Sequence, residues 1–281
     1  MTSQWISNWR LLTYPLRMRP SFVLPGETKC GTTTCYRCLA QHPLIASSDE
    51  KEPNNFIRYG GTACFCRMHY PLSWVRWRTG GRTMTGEASA EYLSKPHVPA
   101  SIAAFEPDMK LIFMFRNPVL RALSDFKMMA KAGREPEAFE PLVERVLGWL
   151  TDDRLDRLVE VAARADAPPL RYVTKGLYAR SLGPWLETFP RRQMLFVKSE
   201  DFFEAPQRVL DTIFDFLGVG PFALPHVPHL RRAEDRSLPD RAALRALADF
   251  YAPHNRELYA LLERDLGWEA ACEALPGAPA R

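Results

Sequence analysis

Short unbroken apolar runs alternate along this chain with longer stretches of helical spacing. Phe22-Val23-Leu24, Leu111-Ile112-Phe113-Met114-Phe115 and Met194-Leu195-Phe196-Val197 are continuous rather than alternating, which is the pattern of strands covered on both faces in a parallel sheet. Helical spacing fills Pro136–Ala165, with a break near Thr151, and Gly176–Phe189. Val209, Leu210, Ile213, Phe214 and Leu217 recur at helical intervals before Gly218, as do Leu244, Leu247 and Tyr251 before Pro253, so helices ending at about those two breakers are predicted. Alternating strands and helices imply βαβ units with right-handed crossovers. Ser47–Pro99 is rich in Gly, Pro and Arg with little periodicity, and reads as long loops over the strand ends. Residues 1–21 read as an N-terminal extension, 22–268 as the working domain, and 269–281 as a flexible tail.

Composition narrows the function classes. The 281 residues are 46% apolar and 25% charged, ordinary for a globular protein. A formal charge of +4, with Lys and Arg spread along the chain, argues against a nucleic-acid surface and suits a small anionic ligand. No run of eighteen apolar residues exists, and Met1–Pro20 mixes Trp5, Trp9 and Leu12 with Arg10, Arg17 and Arg19, so neither a transmembrane segment nor an export signal is expected. Six cysteines do not form a disulfide framework: Cys35-x-x-Cys38 falls within a predicted helix, and the Cys64-x-Cys66 pair with His69 lacks zinc spacing, so no metal is expected.

Directly after the first apolar run comes Gly26-Glu27-Thr28-Lys29-Cys30-Gly31-Thr32-Thr33-Thr34, opening a helix. A strand, a Gly-bounded turn and a helix start gather backbone N–H groups on one spot and favour an anion there. The spacing resembles the nucleotide-triphosphate P-loop, but Thr32 stands where that motif has its lysine, and the lysine has moved to position 29. The fold class is therefore α/β, a three-layer, P-loop-like parallel sheet flanked by helices. A kinase would also want a carboxylate at a neighbouring strand end for Mg²⁺, whereas the second run ends in Arg116, which repels a metal and attracts a second phosphate. Asn117 caps the following helix, Pro118 sits at its first position, and Ser124 lies about two turns in with polar Arg121 one turn earlier on its side, so Arg116 and Ser124 can converge on one anion.

Together these two elements resemble the pair of binding motifs of the sulfotransferases that use 3′-phosphoadenosine 5′-phosphosulfate (PAPS), and more closely the carbohydrate (heparan and chondroitin type) members. The similarity runs from about Phe22 to Trp268, through Lys51-Glu52-Pro53-Asn54-Asn55-Phe56, Gly86-Glu87-Ala88-Ser89-Ala90-Glu91-Tyr92, Gly176-Leu177-Tyr178-Ala179 and Glu200-Asp201-Phe202-Phe203. The resemblance implies that Lys29 bridges the leaving phosphate and the sulfuryl group, that Cys30, Gly31, Thr32, Thr33 and Thr34 line the donor, and that Arg116 and Ser124 hold the 3′-phosphate. Tyr178, and Arg231 or Arg232 in place of a late Lys-Gly-Arg loop, join the donor contacts. Glu52 aligns with the general base, with Glu50 and Glu87 as fallbacks. Transfer is expected to need no metal and to leave 3′,5′-adenosine bisphosphate.

Acceptor contacts are sought in Glu87, Trp74, Arg76, Trp77 and Arg78. The aromatics there either stack on sugars or pack in the core with the arginines outward. Ala88 stands where the glycosaminoglycan enzymes often carry a lysine, and their membrane anchor is not evident. Compartment, oligomeric state and acceptor stay open: a carbohydrate hydroxyl or amine leads, a sterol, lipid or alkaloid follows, and a P-loop small-molecule kinase or a non-catalytic nucleotide-binding module are the remaining alternatives.

Overall fold

The computed structural model describes residues 9–48, 52–60, 70–165, 169–226 and 239–273. Five strands, β1 (Phe22–Pro25), β2 (Ile45–Ala46), β3 (Met84–Ser89), β4 (Lys110–Phe115) and β5 (Met194–Lys198), form one sheet in the order β2-β3-β1-β4-β5. Every neighbouring pair is parallel, as the unbroken apolar runs at β1, β4 and β5 require.

Two compact units divide the chain. The first, residues up to Phe115 together with the stretch from Gly183, holds the sheet. Its helices include α1 (Thr32–Leu39), α2 (Asn55–Tyr59), α3 (Trp74–Trp77) and α4 (Val98–Phe105), with Ser199–Glu204 and Pro206–Leu217 following β5. The rings of Phe113 and Phe115 stack with Phe196 at centroid distances of 5.3 and 6.0 Å, and Trp185 meets Phe113 edge-on at 5.3 Å. Offset and edge-on contacts of this kind add to area burial.

Within Ser47–Pro99 the expected loops are broken by regular structure, most notably by β3. Its sequence, Met-Thr-Gly-Glu-Ala-Ser, has no apolar run, yet Thr85, Glu87 and Ser89 are fully buried. Backbone pairing to β1 on one side and β2 on the other makes the strand, so ladder hydrogen bonds override weak strand propensity. Gly86 faces Phe22 in register, and a Cβ there would lie 2.4 Å from the Phe22 carbonyl oxygen and 2.6 Å from its ring. Gly86→Ala is therefore expected to cost about 1–3 kcal/mol by overpacking, read as a lowered midpoint in thermal unfolding.

The second unit, Arg116–Leu182 with the C-terminal stretch, is helical among the described residues: α5 (Pro118–Lys131), α6 (Phe139–Trp149), α7 (Leu155–Ala165), α8 (Leu170–Thr174), α9 (Arg241–Leu262) and α10 (Trp268–Glu273). Its core joins Val119, Leu123, Phe126, Leu142, Val146, Tyr172, Leu247 and Tyr251. The break near Thr151 separates α6 from α7 as predicted.

Instead of ending before Pro253, α9 continues through it, because Asn255, Leu258 and Leu262 extend the buried stripe of Leu244, Leu247 and Tyr251. Packing along that face outweighs the hydrogen bond that proline removes. Residues 269–273, expected to fray with the tail, are helical behind a buried Trp268, and at the other end Arg17 and Met18 of the expected extension are buried. Among the described residues no helix is long and apolar enough to cross a membrane.

Candidate active site

In the first unit the turn from β1 into α1 is a tight, strained loop. Lys29 and Gly31 both adopt left-handed backbone angles, with φ of 75° and 87°. The Cys30 amide donates to the Glu27 carbonyl at 3.1 Å, and the Thr34 and Cys35 amides both donate to Gly31, opening α1. The Thr32 and Thr33 amides, ahead of these, have no intrahelical carbonyl to bond, which leaves donors at this end.

Gly31 has no room for a side chain, since a Cβ would stand 2.8 Å from the Phe203 ring. Ser199 donates to the Cys30 carbonyl at 2.7 Å. Phe203 and Ser199 both brace the loop from the residues after β5, a role that no local pattern in the sequence reveals. Thr32 is buried with its methyl against Gly26, whereas Lys29, Thr33 and Thr34 are half-buried.

Glu52 lies beside this loop: the Thr33 hydroxyl donates to its Oε1 at 3.1 Å. Glu52 and Asn54 also hold positive φ, 51° and 52°. Among the described residues four that are not glycine do so, and three of them are Lys29, Glu52 and Asn54. Such conformations cost about 1–3 kcal/mol each and collect where surrounding structure over-determines a functional geometry.

Glu87, sought among the acceptor contacts and as a fallback base, is 0% exposed. Its carboxylate accepts from Tyr70 Oη at 2.8 Å, from Tyr92 Oη and from Asn55 Nδ2 at 3.4 Å. It cannot touch an acceptor from there. On α3, by contrast, Trp77 is 86% and Trp74 54% exposed, so these aromatics are not core. The Arg78 guanidinium lies 6.0 Å from the Trp74 ring centroid, within cation–π range. Arg76 bends back to donate to the Gly81 carbonyl at 2.9 Å. The Cys35 and Cys38 thiols are buried in α1; burial pushes Cys38 up to about 11 and Cys35 further. Both therefore stay protonated. Glu50, Lys51, Cys64, Cys66, His69, Arg231 and Arg232 lie outside the described residues.

The second unit carries Arg116 and Ser124, both half-buried. The Asn117 side chain accepts from the Val119 and Leu120 amides at 3.0 and 3.3 Å, the cap its sequence position predicts. Asn117 Nδ2 in turn donates to the Trp268 carbonyl at 3.3 Å. Tyr178, expected to touch the donor, is buried with its hydroxyl on the Arg116 carbonyl at 2.9 Å and its ring 6.0 Å from that of Trp268. It mounts the Arg116 peptide. Arg121 does not share the exposed side of Ser124: it is fully buried, 3.3 Å from Asp125, which also pairs with Arg171 at 3.3 Å.

Residues 19–224 match the family model of the sulfotransferase domain. The chain belongs to the sulfotransferase family. Among its relatives in that family, heparan sulfate glucosamine 3-O-sulfotransferase 3A1 of Mus musculus is 30% identical over 92% of this chain and 67% of its own length. Carbohydrate sulfotransferase 15 of Rattus norvegicus is 28% identical over 89% of this chain and 54% of its own. The chain thus spans between about half and two thirds of the lengths of these relatives. The solved sulfotransferase from Alicyclobacillus acidocaldarius superposes with a TM-score of 0.68 at 27% identity, covering 90% of this chain and 99% of the other. The parallel α/β sheet is thereby that of a sulfotransferase-family enzyme.

Proposed function

We propose that this sulfotransferase moves a sulfuryl group from PAPS onto a hydroxyl or amine of an anionic carbohydrate. The observation that carries the proposal is the Thr33–Glu52 hydrogen bond, because it joins a carboxylate to an anion-binding loop that has its own cation. The donor fits what the loop offers: a helix start, two left-handed residues, a glycine with no space for a Cβ, and an ammonium group. In the proposed reaction Glu52 takes the acceptor proton as the acceptor atom bonds to sulfur. The bond between sulfur and the bridging phosphate oxygen breaks, its electron pair stays with the phosphate, and Lys29 offsets the charge gathering there. Arg116 and Ser124 are assigned the 3′-phosphate. No metal ion has a step in this scheme.

An anionic acceptor is favoured by charge. Between Glu52 and Glu87 the chain carries Arg58, Arg67, Arg76, Arg78 and Arg82 and no acidic residue, and this stretch includes the exposed Trp74 and Trp77. Aromatic faces for sugar rings beside guanidinium groups for sulfates or carboxylates suit such a chain.

Ligand-dependent melting tests the donor half. At a hundred times its dissociation constant, 3′,5′-adenosine bisphosphate is expected to stabilise the protein by about 2.7 kcal/mol, with EDTA making no difference and AMP much weaker. Arg116→Ala is expected to erase the preference over AMP; equal stabilisation by both nucleotides in the wild type would refute the 3′-phosphate assignment. Labelled PAPS offered with sulfated polysaccharides, neutral glycans, sterols and phenols tests the acceptor half. Preferential labelling of a sterol or phenol would overturn the carbohydrate reading.

A further inference from the structure

We infer that Glu87 is a positioning residue that holds the loop 52–56, and through it Glu52, in working geometry. The inference rests on the assignment of Glu52 as base and goes beyond it by naming what keeps the base in place.

The loop enters α2 through two left-handed residues, Glu52 and Asn54, neither a glycine. A conformation of that kind persists only where contacts from elsewhere enforce it, and a five-residue helix cannot supply them alone. The contacts converge on the end of β3. The Asn54 amide donates to Ser89 Oγ at 3.3 Å and Asn55 Nδ2 to Glu87 Oε2 at 3.4 Å. Tyr92 Oη accepts from the Phe56 amide at 3.2 Å while donating to Glu87 Oε1, and Tyr70 Oη donates to Oε2 at 2.8 Å. Glu87 and Ser89, two apart on the strand, share one face of it. The Phe56 ring closes the arrangement edge-on to Tyr92 and Phe105, at 5.9 and 5.6 Å.

A carboxylate suits the hub because it only accepts, through two oxygens, and three donors point at it. The two tyrosines stay donors, since burial and then the Glu87 charge push both hydroxyls well above their usual range. The Tyr92 proton is thereby committed to Glu87, which turns the lone pairs of its oxygen to the Phe56 amide. A glutamine at 87 keeps the volume but sets an NH₂ against the donors of Asn55 or a tyrosine, so the amide contact must rearrange. A shift of about 1 Å in a reacting group can cost ~10²-fold in rate.

The test compares Glu87→Gln and Tyr92→Phe with wild type in kcat, in calorimetric binding of 3′,5′-adenosine bisphosphate, and in hydrogen exchange at the Phe56 amide. We expect kcat to fall about 10–100-fold, nucleotide affinity to stay within about threefold, and the Phe56 amide to exchange faster. The decisive arm places Glu87→Gln in a Glu52→Gln background. A residue acting through Glu52 should there cost less than about threefold, because the two losses are not additive. Equal cost in both backgrounds, wild-type kcat in either single variant, or loss of nucleotide binding together with activity would each overturn the inference. If the wild-type protein transfers no sulfuryl group at all, the base assignment fails instead, and exchange at Phe56 still reports whether Glu87 holds the loop.

Discussion

Lys29→Ala is expected to lower kcat for sulfuryl transfer by about 10²–10³-fold, the loss typical of removing one donor aimed at developing charge. Alanine isolates the charge, because it meets the same steric penalty as lysine at φ 75° and so leaves the loop as strained as before. Glycine would not serve, since it would also relax the backbone. Arginine would keep the charge but replace a compact ammonium with a broad planar fork, and is expected to recover only part of the rate. The measurement is single-turnover transfer from labelled PAPS, with unfolding midpoints as the control. Unchanged turnover in the alanine variant would remove Lys29 from the mechanism.

The second large effect is expected at Glu52. Glu52→Gln keeps the shape, and its amide oxygen can still accept from Thr33, so the fold and the donor loop should be undisturbed. Without a group to take the proton, kcat should fall about 10²–10⁴-fold, while the KM for the donor changes little. Such a split separates loss of the base from loss of binding. A variant that turns over like wild type would return the role to an untested carboxylate such as Glu50.

The parts legible in the sequence were those where one physical signal dominates. Continuous apolar residues marked β1, β4 and β5, and the Gly26–Gly31 spacing after β1 marked the tight turn into α1. The Asn117-Pro118 pair marked a capped helix. β3 was illegible because its buried side chains include the polar Thr85, Glu87 and Ser89, whose polarity is satisfied by partners that the strand's own sequence does not reveal. Tyr70 and Tyr92 are 17 and 5 residues from Glu87, and no local pattern announces that they meet. Arg121 misled too: an arginine on a helix reads as solvent-facing, but here it is fully buried against Asp125, the carboxylate that also pairs with Arg171. Trp74 and Trp77 left two readings open, because indoles serve equally in cores and at surfaces. The continuation of α9 past Pro253 was hidden by a strong local breaker that tertiary packing overrode.

The mounting of Arg116 bears on how the protein can be cut down for laboratory use. The region recognisable as the sulfotransferase domain ends at residue 224, yet the peptide around Arg116 is held by groups far beyond it. Asn117 leans on the Trp268 carbonyl, the Tyr178 ring lies against Trp268, and the Tyr251 hydroxyl ties down the Val173 carbonyl at 2.7 Å. A clone trimmed to the recognisable region would keep Arg116 in its sequence and discard its scaffolding, so minimal versions should extend through Glu273.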